Sequence, residues 1–306
     1  MDLALYISTI EDYSGKKLES YKRDYGVSDS NGVRDSYDKL ITYLQDQYKD
    51  EIEYLYFGCE FCEHLIPNKE QLVLFREKCE EDGISPVFVT PVTADIGNEK
   101  LRNCFEILKR WQPNMEIVIN DYGVMELLNI EYPHFRKTAG RVLDKLSHDS
   151  RASAEELDVY YGSSGIKYAR KPGITSQVYR RLLATYGVER YEFDLPKVGV
   201  DIAGEQVVSG LYWPFNYLTT GRICLFRATQ KKGKNKFIID NKACLQPCKE
   251  IELELRKTLN GFRIENNKKK ESEYIFQKGN TLFYLYDNVN LESVLSQFQR
   301  IIIQVI

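Results

Sequence analysis

Short apolar segments alternate with amphipathic segments along most of this chain, and that alternation restricts the fold more than any other feature. Patterns of roughly ten to fifteen residues, such as SYDKLITYLQDQY and EKLRNCFEILKRW, are typical of helices. The segments typical of strands are LALYIST, EIEYLYFG, SPVFVTPV, MEIVIND, RKTAGRVLD and VERYEFDLP. Such alternation predicts βαβ units with a parallel sheet, and a series of these units closes into a TIM-like α/β barrel.

The pattern changes after Cys248. EIELELRK, FRIENN, SEYIFQ and NTLFYLYDN are typical of antiparallel hairpins, and they precede a short helix pattern, LESVLSQFQ. The final RIIIQVI is apolar enough for a strand buried on both faces, which predicts that it returns to close the barrel. We therefore expect a barrel over residues 1–225, an insertion with a cysteine-bearing loop and β-hairpins over 226–290, and a closing helix and strand over 291–306.

Charge and hydropathy exclude several classes of protein. The 306 residues include 42 basic and 45 acidic side chains, so the net charge of −3 gives no strong signal for nucleic-acid binding. No apolar run approaches the length of a membrane-spanning helix, and the N-terminus lacks a basic leader. These features predict a cytoplasmic protein with no membrane association.

Four cysteines form the most informative chemical pattern. Cys62 follows a strand pattern that ends in a glycine turn, whereas Cys224, Cys244 and Cys248 lie far along the chain. Four thiolates that meet on one face of a barrel suit either an iron–sulfur cluster or a tetrahedral zinc ion. The sequence leaves the choice between these two metals open.

The other cysteines differ from these four in their surroundings. Cys79 and Cys104 lie in helix patterns and are expected to be small buried hydrophobic residues. Cys59 forms a C-x-x-C spacing with Cys62, which is compatible with a redox pair or with half of a zinc site. With seven cysteines and no export signal, a disulfide framework is not expected.

Polar residues near the ends of the predicted strands provide further site candidates, since barrel enzymes react at the carboxyl ends of their strands. A carboxylate at that edge suits acid–base chemistry, although Asp121 suits a helix N-cap equally well. An inward guanidinium would bind an anionic substrate. The predicted catalytic residues are Asp121, Glu192 and Asp194, and the predicted substrate-binding residues are Asn120, Tyr122, Arg141 and Tyr217.

Several segments together resemble the collagenase-like peptidase family U 32. They are YFGCEFCEHLIP, VFVTPVTADIG, VINDYGVMELL, AGRVLDK, YGVERYEFDLP, YLTTGRIC and NKACLQPC, and they span residues from about 50 to 250. The resemblance implies a β/α barrel and, from its iron–sulfur members, a 4Fe–4S cluster that supports oxygen-independent hydroxylation. Those members include the paired proteins of anaerobic ubiquinone synthesis and enzymes that hydroxylate tRNA or ribosomal RNA.

Carried over by position, the resemblance places the cluster ligands on Cys62, Cys224, Cys244 and Cys248. It also implies a small-molecule or macromolecular substrate and a second family member as a hetero-partner. Peptidase activity has little support, because the three histidines lie in no H-E-x-x-H motif and no G-x-S-x-G motif is present. The alternative is a barrel with a structural zinc ion or no metal, which acts as a binding module or scaffold.

Overall fold

Eight parallel strands close into a barrel in the computed structural model of this chain. The structure describes residues 1–21, 33–148, 154–233, 235–238, 242–249, 253–254, 275–285 and 290–305. In chain order the strands are β1 (Asp2–Ile7), β2 (Tyr54–Gly58), β3 (Ser85–Val89), β4 (Glu116–Ile119), β5 (Arg136–Ala139), β6 (Val188–Phe193), β7 (Val208–Trp213), β8 (Phe215–Thr220), β9 (Leu253–Glu254), β10 (Ile275–Lys278), β11 (Thr281–Leu285) and β12 (Arg300–Val305). Around the barrel the order is β1-β12-β7-β6-β5-β4-β3-β2, which confirms the predicted TIM-like α/β barrel.

Helices separate most of the barrel strands. They are α1 (Val33–Gln47), α2 (Lys69–Asp82), α3 (Asp95–Trp111), α4 (Tyr122–Glu131), α5 (Ala154–Ala169), α6 (Gln177–Thr185), α7 (Leu225–Thr229) and α8 (Leu291–Leu295). Local sequence explains the ends of α2, since Asn68 and Gln71 form a capping box and Gly83 takes the left-handed conformation, with φ of 66°. No helix in the described part of the chain is long and apolar enough to cross a membrane.

Side chains alternate between the two faces of the barrel wall, as the period of a strand requires. Residues that point outward, such as Leu5, Phe57 and Phe88, belong to the large core between strands and helices. The barrel interior has its own apolar cluster, whose members are Ala4, Tyr6, Tyr56, Val87, Val89, Val118, Tyr212 and Ile302. Charged side chains are also buried here, among them Arg141, Glu60 and Asp194.

The C-terminal strand closes the barrel as predicted. Ile303 of β12 pairs with Leu5 of β1 on one side and with Trp213 of β7 on the other. Since the first and last strands of the chain are neighbours, the barrel is complete only when residues 300–305 are in place.

The remaining strands form a separate antiparallel sheet in the order β8-β11-β10-β9. This sheet packs against the loops at the carboxyl ends of the barrel strands, because Phe283 of β11 lies 5.7 Å from the ring of Phe61, which follows β2. The sheet includes β8 and therefore begins at Phe215, inside the range 1–225 that the sequence assigns to the barrel. The predicted hairpins appear as β10 and β11, whereas FRIENN lies outside the described residues.

Candidate functional site

Two distant segments bring four cysteines to the wall of one small pocket. Cys62 follows β2, Cys224 immediately precedes α7, and Cys244 and Cys248 lie in the loop beyond α7. Apolar and aromatic side chains complete the wall, among them Leu65, Phe226 and Pro247. The early and late cysteine segments thus meet at the carboxyl ends of the barrel strands, whereas the binding of a metal by their thiols stays a prediction.

Backbone amides point at two of the four sulfurs. The amide of Arg227 donates to Cys224 Sγ at 3.5 Å, and the amide of Gln246 donates to Cys244 Sγ at 3.4 Å. The turn of the β10–β11 hairpin adds Gly279, where φ is 58° and a Cβ would lie 3.6 Å from Cys248 Sγ. Amide donors and closely approaching backbone are the groups that surround metal-bound thiolates in proteins.

Burial raises the pKa of three of these thiols, those of Cys62, Cys224 and Cys248. It raises the pKa of Cys62 well above its ordinary value and the pKa of Cys248 to about 11, and the neighbouring cysteines add to both shifts. The pKa of Cys224 is also raised by burial. A metal ion would have to displace these protons, so its binding would weaken as the pH falls.

The donor chemistry of the pocket fits an iron–sulfur cluster or zinc, because both take four thiolates in a partly apolar setting. The described residues contain no group of three or more histidine, cysteine, aspartate or glutamate side chains arranged to hold a metal ion. Support for a metal site therefore comes from the shared pocket and from the chemistry of its donors.

Cys59 occupies a different position from the four cysteines of the pocket. It is buried and lines a neighbouring cavity of about 190 Å³, whose wall it shares with Cys248. Burial raises its pKa to about 12. Cys79 and Cys104 are buried in α2 and α3, as the sequence predicts.

Hydrogen bonds join the cysteine segments to each other. The side-chain amide of Gln246 donates to the carbonyl oxygen of His64, and this contact links the late loop to the early one. Asn280, in the hairpin turn, donates to the carbonyl oxygens of Phe61 at 2.7 Å and Gly221 at 2.8 Å. Because Asn280 contacts both segments, it fixes the segment before Cys62 relative to the one before Cys224.

A buried arginine holds the early cysteine loop from below. Arg141 Nε and Nη2 donate to the two carboxylate oxygens of Glu60 at 2.9 and 2.6 Å, and Arg141 Nη1 donates to Asp194 at 2.6 Å. All three side chains are fully buried. Since Glu60 lies between Cys59 and Phe61, this ion pair anchors the loop that carries Cys62. The predicted anion-binding arginine is thus paired with two carboxylates of its own chain.

Aromatic rings and opposed charges surround that ion pair. The guanidinium of Arg141 lies 4.2 Å from the centre of the Tyr212 ring, and the backbone amide of Tyr217 donates to Asp194 at 3.1 Å. Burial raises the pKa of Glu60 and that of Asp194, and the charge of Arg141 opposes both shifts. The pKa of Arg141 is raised well above its ordinary value, because the two carboxylates outweigh the effect of burial.

His148 belongs to this network, although its sequence context indicates no role. Its ring lies 4.1 Å from that of Tyr217, and its two nitrogens lie 3.6 Å from carboxylate oxygens of Asp144 and Asp194. Burial lowers its pKa, but the two aspartates reverse this effect and the pKa is raised overall. The only sequence signal is the i, i+4 spacing between Asp144 and His148.

The other predicted site residues have structural contacts of their own. Asp121 is the N-cap of α4 and accepts from the amides of Gly123 at 2.7 Å and Val124 at 3.2 Å. Asn120 is buried and donates to the carbonyl oxygen of Thr90 at 3.0 Å, which ties the ends of β3 and β4 together. The Tyr122 ring is exposed beside α6. The proposed roles of these residues in a reaction stay predictions.

Glu192 and Asp194 both point into the barrel, but at different depths. Asp194 lies at the mouth, after the end of β6, whereas Glu192 lies within the strand and accepts from Tyr56 at 2.7 Å. Burial and the charge of Glu116 raise the pKa of Glu192 to about 7. Tyr56 in turn accepts from Arg300 at 2.7 Å, so Glu192 belongs to a network below the mouth.

No protein-family model matches this sequence, and no curated protein matches it either. The resemblance to peptidase family U 32 therefore stays a prediction from the sequence. The cysteine pocket and the groups that position it are the features of the structure that support a function.

Proposed function

We propose that this chain is an iron–sulfur protein of the peptidase U 32 type that supports oxygen-independent hydroxylation or a related modification, as an enzyme or as an enzyme subunit. The observation that carries this proposal is the meeting of Cys62, Cys224, Cys244 and Cys248 at one pocket, beside a cavity at the barrel mouth. All seven cysteines are free thiols, which is compatible with a reducing, cytoplasmic setting.

The residues of the chain have distinct roles under this proposal. The four cysteines bind the cluster, and Leu65 and Phe226 limit the access of water to it. A 4Fe–4S cluster, when bound, supplies one-electron transfer. The ion pair of Arg141 with Glu60 holds the loop of Cys62 in place, while the amides beside Cys224 and Cys244 stabilise negative charge on sulfur.

Zinc is the second candidate, because four thiol donors around one pocket also satisfy a tetrahedral structural site. A zinc or metal-free barrel would act as a binding module or scaffold.

A second member of the same family is the proposed hetero-partner of the cluster-bearing protein, and the substrate is a small molecule or a macromolecule.

Anaerobic purification followed by iron, sulfide and zinc analysis separates these possibilities. The proposed function predicts iron and sulfide in the parent protein, with visible absorption that is lost in single Cys-to-Ser variants of Cys62 and Cys224. The matched controls are Cys79→Ala and Cys104→Ala, which remove buried thiols outside the pocket and should keep the iron. Zinc in place of iron would favour the structural site, and full iron loading in a Cys224→Ser/Cys244→Ser variant would refute the ligand set.

A further inference from the structure

A cavity of about 190 Å³ adjoins the cysteine pocket at the mouth of the barrel. Its lining includes Ser8 and Thr9, which follow β1, and Lys278, Gly279 and Asn280 at the β10–β11 turn. Leu65, Cys248 and Gly279 line both the cavity and the cysteine pocket. A molecule in the cavity would therefore lie next to the cysteines.

Two lysines belong to the lining of the cavity. Lys249 is exposed and Lys278 is half-buried, and within the described residues neither has a carboxylate partner at ion-pair distance. Asp12 lines the cavity as well, so the formal charge of the lining is +1. The hydroxyl groups of Ser8 and Thr9 are further polar groups of the lining. This lining suits one anionic group, since ammonium ions make strong charge-assisted hydrogen bonds to carboxylates and phosphates.

Apolar and aromatic side chains also line the cavity, among them Tyr6, Phe61, Leu65, Phe283 and Val305. The rings of Phe61 and Phe283 pack edge to face, with centroids 5.7 Å apart. The volume equals that of roughly six liquid water molecules, which is enough for one small ring with a polar substituent.

We propose that this cavity binds a small molecule with an apolar body and a single anionic group, and that Lys249 and Lys278 select its charge. Arg141 does not fill that role, because two carboxylates already occupy its guanidinium. The identification of this molecule as a substrate or co-substrate rests on the proposed iron–sulfur function, whereas its binding depends only on the cavity.

Calorimetric titration of the anaerobically purified protein with benzoate and with benzamide tests the proposal, because the two probes share shape but differ in charge. Benzoate should bind at least about tenfold more tightly than benzamide, and Lys249→Gln and Lys278→Gln should each weaken benzoate roughly tenfold. Benzamide binding should stay unchanged. Lys100→Gln, on the exposed face of α3, is the matched control and should affect neither probe.

A cavity-filling variant and iron analysis make the outcomes distinct. Ser8→Phe should prevent binding of both probes, while all of these variants keep the iron content of the parent. Iron-loaded protein that binds neither probe, or binds both equally, would overturn the anion site and leave the proposed function standing. The anion site would also be overturned if Lys278→Gln lost iron but kept its affinity for benzoate, because the lysine would then stabilise the cluster and not the bound anion. Charge-selective binding by a protein without iron would support the cavity and contradict the proposed function.

Discussion

Replacing Arg141 with methionine removes the charge that holds Glu60 and Asp194 inside the barrel while it keeps most of the side-chain volume. The ion pairs are 2.6 Å long and no part of the three side chains is exposed. Breaking a buried pair by removing one partner typically lowers stability by about 3–5 kcal/mol, because a charge is left in a medium of low polarity. Two carboxylates lose their partner here, so we expect a loss of about 5 kcal/mol in the free energy of unfolding at pH 7.5.

The loss should become smaller as the pH falls. Burial already raises the pKa of Glu60 and Asp194, and removal of Arg141 raises both further. A carboxyl group whose pKa is raised by folding is protonated more often in the folded protein than in the unfolded chain. Its contribution to stability is therefore complete at a pH below the pKa of the unfolded chain, and it is lost as the pH rises above that value. Each carboxyl that stays protonated in the folded variant lowers the unfolding free energy by about 1.4 kcal/mol per pH unit above pH 5.

Urea denaturation of the parent and the variant at pH 5.5 and 7.5 measures both effects. The difference in the free energy of unfolding between parent and variant should be about 5 kcal/mol at pH 7.5 and about 2 kcal/mol at pH 5.5, if one carboxyl of the folded variant is protonated over that range. Arg102→Met is the matched control, since Arg102 makes a bidentate pair with Glu131 on the exposed surface. Its loss should be far smaller, because water screens exposed ion pairs.

A further variant separates uncompensated charge from lost packing. Glu60→Gln/Arg141→Met/Asp194→Asn removes all three charges and should recover part of the stability that Arg141→Met loses. The reasoning would be refuted if Arg141→Met lost no more than Arg102→Met, or if its loss did not depend on pH.

Four other changes give measurable outcomes. Asp121→Ala should lower the free energy of unfolding by about 1 kcal/mol through loss of the α4 N-cap, whereas Asp121→Asn, which can still cap, should not; equal losses would contradict the capping role. Gly58→Ala should prevent stable folding, as judged by circular dichroism, because φ is 135° and a Cβ would lie 2.1 Å from a carbonyl oxygen of β3. The free energy of unfolding of His148→Gln should fall furthest below that of the parent at pH values under about 6.5, since the two flanking aspartates stabilise the charged ring. This difference should decrease as the pH rises through the raised pKa of His148 in the folded protein. A difference that does not depend on pH would argue against this. Under the proposed iron–sulfur function, Asn280→Ala should release iron to a chelator faster than the parent does, because the side chain that joins the two cysteine segments is lost.

The sequence by itself determined the local elements and the fold class. Strand and helix patterns are set by the period of apolar residues along the chain, so β1 to β6 and the closing β12 could be predicted. RKTAGRVLD was the least accurate of these segments, because β5 ends at Ala139 and Arg141–Leu143 form a 3-10 turn. The strand β7 was missed, since VSGLYW includes a glycine and shows no alternation of apolar and polar residues. The helix α5 was missed as well, because its segment contains two glycines and lacks a helical apolar period.

The composition of the site depended on contacts between residues that are remote in sequence. The family resemblance implied which thiols belong together, and the structure places the four of them on one pocket. No local pattern could reveal that Arg141 pairs with carboxylates 81 and 53 residues away, or that Lys249 and Lys278 line one cavity. The physical reason is that periodicity fixes which face of an element is buried, whereas the partner of a buried charge is decided only when the barrel closes and excludes water from it.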